Sequence, residues 1–292
     1  MADKPRKRFG DRKEGRRLRS ITPLMAFTPY IMRDRSDACN YFEGEVDITE
    51  TDRWLREQRR AGWKGLGMLH LFIAAYVRVV SHMPGLNRFV SGQRVYARNE
   101  ILVNMMVKYS VEPDSPETCA KVVFEPSDTI YDIYKKMNDA VEEIRSGDSS
   151  GTENAASVFM KIPRLVLKFA VWLIRVFDYF DWLPRALLNV SPFHGSMIIT
   201  DLGSLGIPPI YHHIYNFGNL PVFLAFGAKR METGLNPDGE VVHRKFVDYK
   251  IVCDERICDG SYYASAFKYL RYYLKNPDEL THPPESVVED IY

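Results

Sequence analysis

The sequence predicts an α+β fold: one large mixed sheet with helices against it, in a single domain. Three observations lead there. Segments with a helical apolar period, at 67–82 and 127–145, interleave with strand-like runs. The second half holds two long β runs joined through Asn236-Pro237-Asp238-Gly239, a good hairpin turn. No internal repeat or low-complexity tract divides the chain, and 292 residues suffice for a sizeable core.

Taken in order, Cys39–Ile48 alternates polar and apolar residues and reads as a strand. Thr49 is the expected N-cap of a helix reaching Arg60, with Glu50 and Asp52 in its first turn. Residues 67–82 place Leu69, Phe72, Ile73, Tyr76, Val77 and Val80 on one face, the pattern of a helix buried on one side. Arg94–Arg98, Ile101–Val111 and Thr118–Phe124 follow as strands, then an amphipathic helix over Ser127–Arg145. The polar stretch 147–154 is expected as a surface loop. Met197–Thr200, Val222–Met231 and Glu240–Cys253 are the later strands, and Gly260 opens a last helix that Asn276-Pro277 ends.

The most hydrophobic segment is 158–190, yet Arg164, Lys168, Arg175, Asp178, Asp181 and Arg185 interrupt it. A membrane span needs about 20 apolar residues, so a helical pair broken at Pro184 fits better. Packing on the body or on another subunit is its plain role. Lying on a membrane surface, or lining an apolar pocket, are the alternatives.

Formal net charge is +1, but it is unevenly placed. Residues 1–19 carry nine Lys/Arg against three acids, and the remainder has a net charge of −5. A basic arm ahead of a mildly acidic body does not suit a protein built around nucleic acid. Residues 1–15 are expected as a flexible tail, and 16–292 as the folded domain. Pro23 and Pro29 interrupt the apolar run after the arm, so a signal peptide is not expected. The four cysteines, Cys39, Cys119, Cys253 and Cys258, form no zinc-spaced cluster and no disulfide framework. Reduced thiols, no metal and a cytoplasmic location are the expectation.

Chemistry concentrates at Cys253-Asp254-Glu255-Arg256-Ile257-Cys258-Asp259-Gly260, where a long strand meets a helix. Two acids, an arginine and a glycine at such a turn suggest a buried charged network around Asp259, with Glu255 free to point elsewhere.

This stretch, with Ser261-Tyr262-Tyr263 and Asn276-Pro277, resembles the end of the acyltransferase domain of dihydrolipoamide acyltransferases, the core subunits of 2-oxo acid dehydrogenase complexes. Chloramphenicol acetyltransferase is a relative. That family ends in Asp-His-Arg-x-x-Asp-Gly, a helix and Asn-Pro. Glu45-Val46-Asp47-Ile48-Thr49, Pro84-Gly85-Leu86-Asn87, Ile199-Thr200-Asp201-Leu202-Gly203-Ser204-Leu205-Gly206 and Ala225-Phe226-Gly227 resemble further family motifs in the same order, over roughly residues 16–285.

The resemblance implies a chloramphenicol-acetyltransferase-like two-layer sandwich, a large mixed sheet with flanking helices. It further implies a homotrimer with active sites between subunits, acyl-coenzyme A or coenzyme A as substrate, and a small-molecule acyl acceptor. Thr200 matches the hydroxyl that stabilises the oxyanion, and Asp259 the aspartate that orders the site by charge pairing, its arginine partner left open. Glu255 stands where the family has its general-base histidine. A glutamate near pKa ~4.3 taking a proton from a thiol near ~8.5 works uphill by roughly 5–6 kcal/mol, about twice the gap for imidazole. Burial could narrow it. His212 or His213 is the alternative base, with at most one facing a given site. A site without thiol activation, in a trimeric binding or assembly module, is the other reading. The resemblance starts about twenty residues into the chain, so neither a lipoyl domain nor a lipoyl attachment site is expected, and the protein is expected to be free-standing.

Overall fold

The computed structural model describes residues 8–108, 117–146 and 160–291. Strands are β1 (Gly15–Arg17), β2 (Cys39–Asp47), β3 (Arg88–Ser91), β4 (Arg94–Arg98), β5 (Ile101–Lys108), β6 (Glu117–Phe124), β7 (Met197–Asp201), β8 (Val222–Leu235) and β9 (Val241–Asp254). Helices are α1 (Pro23–Ile31), α2 (Thr49–Arg60), α3 (Met68–His82), α4 (Ile130–Arg145), α5 (Arg164–Tyr179), α6 (Arg185–Val190) and α7 (Gly260–Lys275). The large sheet runs β2-β9-β8-β7-β5-β6, with β7 parallel to both neighbours and every other pairing antiparallel. A small antiparallel sheet, β1-β4-β3, stands beside it. The expected α+β sandwich with its mixed sheet is the observed fold.

Strand alternation gives the large sheet two unlike faces. One carries Val46, Tyr249, Ile251, Leu224, Phe226, Ile199 and Val103 into the main core. Phe72 of α3 stacks on Phe226 there, ring centroids 4.6 Å apart. The periodicity anticipated one buried face for α3, but 13 of its 15 residues are buried. The reason is its central place: α7 and α4 both pack on it in addition to the sheet. The opposite sheet face carries Ile198, Phe223 and Val252, covered by Ile214, Leu220, Tyr215 and the His212 ring of the loop between β7 and β8 and by Cys39. Farther along that face Met106 and Val123 are exposed.

Several local expectations need correction. Thr49 is the first residue of α2 rather than its cap; Asp47 accepts from the Thr49 N–H (2.9 Å) and does the capping. Residues 12–15, expected within a free tail, lie against the body. Arg12 is buried, and it donates through Nη2 to Asp178 Oδ1 (2.9 Å) and to the Asp178 carbonyl (2.6 Å). Lys13 Nζ donates to the carbonyls of Asp181 and Leu183. Arg12 thus meets the last turn of α5, where carbonyls lack helical partners, and Lys13 holds the chain just beyond it. The 147–154 loop, the first residues of the arm and the ends of two expected segments (109–111, 158–159) lie outside the described residues. α1, β1 and β3 had no clear signal in the sequence.

Candidate functional site

The strand-to-helix turn after β9 is held by a buried carboxylate. Asp254, fully buried, accepts from Arg256 through Nε (2.8 Å) and Nη2 (2.7 Å), and from Arg35 Nε (3.3 Å). Both arginines are nearly buried and satisfy their remaining donors on backbone: Arg256 on the Met32 and Arg33 carbonyls, Arg35 on those of Tyr215 and Gly218. The Asp254 carbonyl accepts from Tyr263 Oη at 2.8 Å. Two guanidinium groups on one buried carboxylate thus tie β9, the segment ahead of β2 and the β7–β8 loop together. The charged network anticipated from the sequence exists, but its centre is Asp254 and its second cation Arg35. The Asp-x-Arg spacing was the available signal; Arg35 left none.

Glu255 is the residue this lock presents. Its backbone N–H donates to the Ala38 carbonyl (2.8 Å), while its side chain faces solvent, opposite to Arg256. Asp259 is exposed and pairs with no arginine among the described residues. Its carboxylate caps α7, accepting from the Tyr262 N–H (2.8 Å) and the Ser261 hydroxyl (2.7 Å). The Tyr262 N–H and then the Ser261 hydroxyl hold its pKa below the ordinary carboxylate value. Within this chain the carboxylate serves as a helix cap rather than in a charge pair.

Thr200 lies elsewhere, half-buried near the end of β7 on the thinly covered sheet face. The strand beyond it turns sharply because Gly203 admits no side chain: a Cβ there would sit 2.6 Å from the Gly227 carbonyl oxygen. Ser204 donates its N–H back to Asp201 (2.9 Å), whose pKa burial raises. The Thr200 hydroxyl has no hydrogen-bond partner among the described residues. In register, Thr200 pairs with Ala225, Ala225 with Lys250 and Lys250 with Glu43. Two strand spacings across and five residues along β9 then separate Thr200 from Glu255 by about 20 Å. One protomer does not bring them together.

His212 and His213 divide as adjacent residues should. The His212 ring lies flat on Phe223, centroids 4.2 Å apart at 8°, with Nε2 buried and without a hydrogen-bond partner among the described residues. Phe223 is two residues from Ala225, so His212 shares the sheet face of Thr200. Burial, then the neighbouring His213, lowers its pKa and keeps the ring neutral at pH 7. His213 is exposed, edge-on to Tyr215. An open groove of about 390 Å³ runs along the Glu43–Lys250 end of the same row, between Gly44 and Pro208-Pro209. Tyr211 borders it, lying under Lys250 Nζ (4.5 Å) and donating to Glu43 (3.2 Å).

No protein-family model and no curated protein matches the sequence. Solved structures do. A probable dihydrolipoamide acetyltransferase from Listeria monocytogenes aligns at a TM-score of 0.57 and 14% identity, over 90% of this chain and 95% of that one. The cubic core of the pyruvate dehydrogenase multienzyme complex aligns at 0.59 and 15%, over 90% and 92%. Chloramphenicol acetyltransferase aligns at 0.50 and 12%, over 84% and 92%. These identities speak for architecture, and the chain has the fold shared by dihydrolipoamide acetyltransferase catalytic cores and chloramphenicol acetyltransferase.

Proposed function

We propose that this protein is an acyltransferase that moves an acyl group between coenzyme A and a small-molecule acceptor, at a site completed by a second protomer of a homotrimer. One observation carries the reading. Glu255 is fixed at the strand-to-helix turn by a buried two-arginine lock, while the unpartnered Thr200 hydroxyl stands about 20 Å away on an under-covered face. A rigid mount for an exposed carboxylate and an idle donor elsewhere make sense together if a neighbouring copy brings one to the other.

In that arrangement the Glu255 carboxylate takes the proton from the acceptor as its heteroatom attacks the thioester carbonyl. The Thr200 hydroxyl donates to the oxyanion that forms. Collapse breaks the carbon–sulfur bond, and the departing coenzyme A thiolate receives the proton from Glu255.

The test is thiol release from acetyl-coenzyme A in an acceptor screen, with Glu255→Gln and Thr200→Val beside the native protein. Turnover should fall at least a hundredfold in both variants while sedimentation stays unchanged. Loss in Thr200→Val but not Glu255→Gln would move the base to His212, which shares the Thr200 face. A second reading, a catalytically degenerate trimeric module, is favoured by the solvent-facing position of Glu255. It predicts no thiol release from the native protein with any acceptor.

A further inference from the structure

The outward face of α5 is the least accounted-for surface of the molecule. No residue of this helix is buried. Its last turn is gripped by Arg12, and the chain just after it by Lys13, but Leu165, Phe169, Trp172 and Tyr179 are exposed. On a helical wheel these four form one strip, and Arg164, Lys168 and Arg175 form a row along one edge of it. The only acid of the helix, Asp178, is half-buried and held by Arg12. Burial opposes ionisation of that carboxyl, but the hydrogen bond and charge of His194 and the Arg12 guanidinium outweigh it, so its pKa is lowered. Among the described residues neither Arg164 nor Lys168 has a carboxylate partner.

We infer that α5 docks the protein on an anionic lipid surface, lying in the headgroup region with its aromatic strip inserted and its basic edge on lipid phosphates. The charge pattern selects this occupant. A row of cations with no accessible acid on the helix calls for external anions. Flanking aromatics (Phe180 and Trp182, both exposed) suit the boundary between headgroups and acyl chains. The helix does not cross: 16 residues span about 24 Å, short of the ~30 Å hydrocarbon core. Nor is any described helix long and apolar enough to do so. Fixed at its C-terminal end by the arm, α5 presents the strip without having to fold on contact.

The experiment is co-sedimentation of the full chain with phosphatidylcholine vesicles, with and without phosphatidylserine, together with the tryptophan emission shift. Binding is expected only with phosphatidylserine, with a blue shift that Trp172→Phe reduces. Arg164→Ala/Lys168→Ala should weaken it roughly thirtyfold, and Phe169→Glu/Trp172→Glu should abolish it without loss of thermal stability. The basic arm is the rival source of vesicle binding, so Lys4→Ala/Arg6→Ala/Lys7→Ala is run in parallel and should retain most of it. The inference is overturned if the native protein ignores anionic vesicles, or if the arm variant alone abolishes binding. It is overturned equally if Trp172 is shielded from a soluble quencher in the lipid-free oligomer, which would make this face a contact between copies.

Discussion

Asp254 shows how a single side chain can set a functional loop. Neutralising it leaves Arg35 and Arg256 facing each other in a buried space, so Asp254→Asn should destabilise the protein by about 3–5 kcal/mol in denaturant unfolding. Glu255, one residue later, carries no such duty: Glu255→Gln should shift stability by less than about 0.5 kcal/mol. The two roles of Asp259 separate by a pair of variants. A cap is supplied almost as well by asparagine, so Asp259→Asn should keep the native stability while Asp259→Ala loses about 1 kcal/mol. Equal losses in both would restore the charge-pairing role implied by the resemblance. Chemically this site was half legible in sequence. Two acids and an arginine at a strand-to-helix turn announced a network, but only the fold chooses which acid is enclosed. Arg35, 219 residues from its partner Asp254, has no local pattern that marks it.

Among the elements, α3 links stability to pH. His70 Nδ1 accepts from the Gly67 N–H (3.2 Å) at the start of this helix, a bond that requires the neutral ring. Burial pushes its pKa down to about 4, against 6.5 for a free histidine. Between those values the unfolded chain binds a proton that the folded chain refuses. Stability is therefore full above pH 6.5 and falls as the pH drops toward 4, by at most about 3 kcal/mol. His70→Gln should flatten that slope in urea melts taken across the window. Elements with an undivided period were legible: β2, α2, α4, the β8–β9 hairpin and α7 appear close to where their patterns placed them. The small strands β1 and β3 were not, because three or four residues carry too little alternation to stand out. α5 and α6 were legible as a broken helical pair, but apolar density alone does not tell burial from display, and none of α5 is buried.

At the scale of the whole molecule, the sheet has one packed face and one thinly covered face, and the candidate residues divide accordingly. Thr200 and His212 belong to the second face; Glu255 and Asp259 sit at the β9–α7 turn. If copies complete one another, activity should depend on assembly, and diluting the protein until sedimentation shows only monomer should extinguish thiol release. The likeness to the acetyltransferase cores was legible through several weak motifs in a fixed order, since their glycines and caps answer to backbone geometry rather than to one reaction. The groove beside Glu43 and Lys250 was not legible, because it is assembled from β2, β9 and a loop far apart in the chain.

The central claim is that this fold still handles a coenzyme A thioester. Calorimetric titration with coenzyme A and acetyl-coenzyme A tests it most directly, because it requires no knowledge of the acceptor. The account predicts micromolar binding at about one site per chain, retained in Glu255→Gln. Absence of binding heat at several temperatures, with the protein folded and assembled, would contradict it.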